Sequence, residues 1–85
     1  MNIKAEATTL QAIKAKAARG HASWVFWNDR SGRGFAARYS AEAVKTAMLA
    51  TGTARKFFTV DAHGNAAGHR WRAGCLILRN ASIGC

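Results

Sequence analysis

The chain has 85 residues, 49% of them hydrophobic, with three Trp, four Phe and one Tyr. That is too apolar for a disordered tail, and long enough for a single domain over residues 1–85 with one modest core. Thirteen Lys and Arg against four acidic residues give a net charge of +9; no apolar run reaches the roughly 18 residues of a membrane span, and no secretion signal opens the chain, so a cytoplasmic location is expected.

Residues 2–7 alternate Ile3, Ala5 and Ala7 with Asn2, Lys4 and Glu6, a pattern for a short leading strand at a sheet edge. Thr9 is placed to cap a helix over residues 10–19 with Leu10, Ile13 and Ala17 on one side; Lys14, Lys16 and Arg19 lie mostly elsewhere. Gly20 suits the left-handed position that stops a helix. Trp24–Asn28 and residues 35–39 read as a hairpin around Asp29-Arg30-Ser31-Gly32. Ser40 then caps a second helix over residues 41–51, with Glu42 in its first turn and Val44, Ala47, Met48 and Thr51 at helical spacing. Lys56–Val60 and residues 66–71 form a second hairpin around Asp61-Ala62-His63-Gly64-Asn65. Residues 75–79 are an apolar run for a final strand, and residues 80–85 read as a loose tail.

The two halves repeat. Sliding the chain so that Gly20 falls on Gly52 also places Phe26 on Phe58, Asp29 on Asp61, Gly32 on Gly64, Arg38 on Arg70 and Tyr39 on Trp71. Each unit, about 8–39 and 40–72, is a helix, a glycine stop, a strand, a turn and a strand. The expected fold is therefore α+β: two αββ units forming one antiparallel sheet with both helices on one face, and short extra edge strands at the termini.

Pairing Phe26 with Phe35 puts Trp24, Phe26, Phe35, Ala37 and Tyr39 on the core face, with Phe58, Val60, Ala67, His69 and Trp71 from the second hairpin. Lys56 shares that face and must snorkel from its edge. The opposite face then shows Val25, Trp27, Ala36, Arg38, Phe57, Thr59, Arg70 and Arg72, rings interleaved with guanidinium groups on an uncovered sheet. Such a surface suits single-stranded nucleic acid, because rings stack on bases and arginines pair with phosphates. Trp27, Arg30, Arg33, Arg38, Phe57, Arg70 and Arg72 are the candidate binding residues, with Arg30 and Arg33 extending the positive track from the turn. An acidic protein groove would use the same residues.

Arg33-Gly34-Phe35-Ala36, followed by Tyr39-Ser40-Ala41-Glu42-Ala43, looks like the strand-to-helix segment of the RNA recognition motif family. The resemblance implies base-stacking rings on a sheet. It spans about ten residues. Ala37 stands where that family carries a second aromatic, and Ile3-Lys4 lacks its first-strand ring.

Catalytic and metal signals are sparse. Asp29 and Asp61 occupy turn positions, Glu42 a helix start, and Glu6 stands alone, so no carboxylate pair or Ser-His-Asp spacing emerges. His63, His69, Cys75 and Cys85 are too widely spaced for a compact zinc site, and His69 reads as a hydrogen-bonded interior histidine. Ser31-Gly32-Arg33-Gly34 lacks the following Lys-Ser/Thr of a phosphate-cradling loop. The two cysteines are expected as free thiols in a reducing compartment. No cofactor or metal is expected, and the chain reads as a non-enzymatic binder of nucleic acid or of a nucleic-acid-bound protein complex. An inhibitor from a phage or other mobile element, docking on a host defence nuclease as anti-CRISPR proteins do, is the alternative. A small basic ribonuclease toxin, using His63 or His69 near Arg70, is the enzymatic one.

Overall fold

A computed structural model describes the backbone of residues 4–72, 75–78 and 81–83, and the side chains of residues 4–71. The order is β1 (Glu6–Ala7), α1 (Leu10–Gly20), β2 (Trp24–Asn28), β3 (Gly34–Arg38), α2 (Ala41–Thr51), β4 (Lys56–Val60), β5 (Ala66–Arg72), β6 (Cys75–Leu78) and β7 (Ala81–Ile83). The strands form one antiparallel sheet in the order β1-β3-β2-β4-β5, which β6 and β7 continue outward. The fold is α+β, two helices packing on this sheet. The leading strand is shorter than expected, residues 2 and 3 lie outside the described ones, and residues 81–83 pair with β6 where a loose tail was expected. The state of the cysteine thiols also falls outside the described side chains.

Both helix starts follow from their caps. The Thr9 hydroxyl accepts from the Ala12 N–H at 3.2 Å and the Ser40 hydroxyl from the Ala43 N–H at 3.0 Å, each satisfying a donor that has no partner within the helix. The first helix runs through Gly20, and His21 takes the left-handed position with φ 50°. Gly52 ends the second helix as expected, with φ 56° and ψ −123°.

The helices occupy opposite faces of the sheet, not the single face expected. Ile13 and Ala17 of α1 pack on Trp24, Phe26, Ala36 and Val60. Ala43 and Ala47 of α2 pack on Val25, Trp27, Ala37 and Phe57. The physical reason lies in β2, where Trp24, Val25, Phe26 and Trp27 are all buried. Alternate residues of a strand point to opposite faces, so an unbroken apolar run needs cover on both sides.

The expected register also slips by one. The Asp29 N–H donates to the Arg33 carbonyl at 2.9 Å, so the turn includes Arg33 and Phe26 faces Ala36, while Phe35 faces Trp27. In the second hairpin Phe58 faces Gly68, which moves Ala67, His69 and Trp71 to the face opposite Phe58. A shift of one residue exchanges the faces of a whole strand.

The repeat survives in the hairpins. Phe26 pairs with Phe58 across β2 and β4, placing a local two-fold axis between them. Asp29 accepts from the N–H groups of Ser31 and Arg33, and Asp61 from those of His63 and Asn65, all at 2.9–3.0 Å. Gly32 and Gly64 follow with φ of 89° and 84°. A rotation about that axis would leave both helices on one face, so the helices break a symmetry that the turns keep.

The two turns leave the sheet at opposite ends. The turn at Gly64 lies so close to α1 that an added Cβ would stand 2.8 Å from the Lys14 carbonyl oxygen. The first turn reaches across to the end of α2, where a Cβ on Gly52 would meet the Arg30 side chain at 2.6 Å. Both glycines carry a positive φ, and at Gly64 the crowding atom is backbone, which cannot move aside.

Candidate functional site

The end of the sheet bearing the first turn is where α2 stops and β4 begins. Arg30 from the turn lies along Gly52. Arg55 takes a left-handed backbone with φ 48°, uncommon for a residue with a side chain. Its guanidinium carbon stands 5.9 Å from the centre of the Trp71 ring, within cation–π range. The Trp71 main-chain N–H donates to the Arg55 carbonyl at 3.1 Å, and its indole Nε1 donates to the Thr51 hydroxyl at 3.0 Å. Thr51 is buried and its own hydroxyl donates to the Met48 carbonyl at 3.2 Å, so Trp71 is tied to the last turn of α2. Arg30, Leu49, Gly52, Thr53, Arg55 and Trp71 line a groove of about 500 Å³ there. Leu49 on its rim is 69% exposed.

On the other side of the same sheet end, Lys56 and Arg70 are directly opposed across β4 and β5. The bond from Trp71 to Arg55 marks theirs as a non-hydrogen-bonded pair, the kind that holds Cα atoms only about 4.5 Å apart. Like charges so opposed are destabilising in the free protein. The Lys56 ammonium rests 5.1 Å from the Phe58 ring centre, its stem along apolar surface as expected.

One carboxylate, Asp29, offsets part of the charge at this end. The Asp29 carboxylate is held within the turn by the Ser31 hydroxyl at 2.6 Å and by the two backbone N–H groups. The hydrogen bond from Ser31 first, then those from the Arg33 and Ser31 backbone and the Arg33 charge, lower its pKa, so it stays ionised. Glu6 pairs with Lys16 at 2.8 Å, the single ion pair among the described residues. Glu42 lies in the first turn of α2, the far end of that helix, and Asp61 lies in the opposite turn.

The expected site residues divide. Arg30, Arg33 and Arg70 all sit at this end of the sheet. Trp27 and Phe57, expected on an open face, are 3% and 1% exposed beneath α2 and cannot meet a partner. Arg38 is exposed but lies at the other end of the sheet, its guanidinium 5.8 Å from the Trp24 ring centre. Strand spacing and rise put it on the order of 20 Å from Arg70. Arg72 pairs in register with Cys75, and its side chain is outside the described ones. Sequence reasoning missed Arg55 and Leu49 and placed Trp71 in the core. Arg55-Lys56, adjacent cations just after a glycine stop, were the available signal.

The groove offers cationic donors and a ring but no titratable acid or base among its lining residues. His69 is half-buried, its Nε2 2.8 Å from the Thr59 hydroxyl and its ring 5.1 Å from that of Phe57, in keeping with an interior role. Among the described residues, no three His, Cys, Asp or Glu side chains gather. The chain matches no protein-family model, no curated protein and no solved structure.

Proposed function

We propose that the protein is a non-enzymatic nucleic-acid binder that takes phosphates on the cationic end of its sheet. The observation that carries this reading is the gathering of Arg30, Arg33, Arg55, Lys56 and Arg70 around one end, five cations against the one carboxylate of Asp29. A polyanion relieves the repulsion between such groups and releases its own counterions.

Titration of the full chain with a labelled oligonucleotide at rising salt tests the idea. Affinity should fall linearly on logarithmic axes, by a slope of about 0.7 per phosphate engaged on a single strand. Paired Lys56→Glu and Arg70→Glu should lower affinity at least about tenfold and flatten the slope by about 1.4. Paired Lys14→Glu and Arg19→Glu, on the exposed side of α1, should do far less. Equal losses from both pairs would remove the case for a defined site. Absence of oligonucleotide binding at low salt, with stoichiometric capture of one nucleic-acid-handling protein complex, would replace it with the inhibitor reading.

A further inference from the structure

Resting on that reading, we infer that the groove between Arg30, Leu49, Arg55 and Trp71 is a base-stacking subsite, which makes single-stranded nucleic acid the ligand class. Trp24 and Trp27 are buried, while Trp71 is half-buried and lines the groove. Its ring is fixed before any ligand arrives, by the indole bond to Thr51 at one end and the backbone bond to Arg55 at the other. A ring held this way loses little freedom on stacking. The Arg55 guanidinium lies over the ring and Arg30 lines the same groove. A base entering there stacks against the indole and the Arg55 plane, with Arg30 available to its phosphate. The groove's 500 Å³ falls within the range of small-ligand clefts, roughly 300–1,000 Å³. An exposed leucine on its rim gives an apolar edge for the base. A duplex keeps its bases stacked internally and offers only phosphates to the same cations, so only an unpaired base can use the indole.

The left-handed Arg55 points the same way. Backbone strain at a residue with a side chain persists where the surroundings hold it. Here it carries a guanidinium over the indole, an arrangement glycine would reach without strain and without the cation.

Three probes separate stacking from charge: a single-stranded oligonucleotide of about 12 residues, the same sequence as a duplex, and inorganic polyphosphate. The full chain should bind the single strand at least about tenfold more tightly than polyphosphate at matched salt, and only the single strand should quench the tryptophan emission. Trp71→Leu should remove most of that preference. Leu49→Gln, an uncharged change at an exposed position that cannot disturb the core, should remove the groove's apolar edge and lower the same preference even if Trp71→Leu fails to fold. Equal affinity for all three probes with unchanged emission would overturn the subsite while leaving the charge-based function standing. Failure to bind any of the three at low salt would end both.

Discussion

Replacing Thr51 by Val isolates the contact that holds the groove together. Valine keeps the branched shape of a side chain that is 1% exposed, so packing beneath α2 is preserved. What disappears is an acceptor for the Trp71 indole at 3.0 Å and a donor to the Met48 carbonyl at 3.2 Å. Losing the acceptor leaves a part-buried N–H without a partner, which costs about 1–3 kcal/mol. The carbonyl keeps its place in the final helical turn and should contribute little more. The expected loss is about 2 kcal/mol, or about 8–16 °C in Tm for a domain of this size. Urea unfolding followed by circular dichroism measures it. Trp71→Phe in the same background removes the stranded donor, so the double variant should be less damaged than the sum of the singles by about 1 kcal/mol. Additivity within about 0.3 kcal/mol would show that the bond contributes nothing and that Trp71 is held by other means.

Other expectations follow from the same geometry. Trp27→Ala should cost about 3–5 kcal/mol in urea unfolding, because the ring lies buried against α2 and 6.3 Å from Phe35; a ring on an open face would cost less than about 0.5 kcal/mol. Arg55→Gly should relieve left-handed strain while losing an exposed cation–π contact, leaving stability within about 0.5 kcal/mol of wild type but weakening oligonucleotide binding. Asp61 has its pKa lowered below the ordinary 3.8, chiefly by the Asn65 backbone N–H and then by that of His63. A lowered carboxylate stabilises the fold above its unfolded value and loses that contribution as pH drops through the folded one. The urea midpoint should therefore fall between neutral pH and about pH 2.5, and Asp61→Asn should shrink that fall.

Much of the architecture was legible in the residues. Thr9 and Ser40 announced both helix starts, and Asp29 and Asp61, each three residues before a glycine, announced matching turns. Two features were harder to read. Whether Arg33 belongs to the turn or to the strand decides the register, and both readings leave apolar residues on a face. The repeat argued for two helices on one side, yet Trp24 to Trp27 form an unbroken apolar run, which is the signature of a strand covered twice. Giving the run more weight than the repeat would have placed Trp27 and Phe57 inside. Arg30 and Arg33 of the first turn and Arg70 of β5 are exposed, since long charged side chains rarely tolerate burial. The groove itself depends on how the end of α2 meets β4, a tertiary junction that no local pattern encodes.

The crossing of the turns has a consequence for how the chain is assembled. Arg30, from the first half, lies on Gly52 of the second; Gly64, from the second half, lies on Lys14 of the first. Each half therefore completes the other, as the exchanged arms of an intertwined dimer do, although here one covalent chain carries both. Peptides cut between residues 39 and 40 should be unstructured apart, and should recover the native circular dichroism spectrum only when mixed.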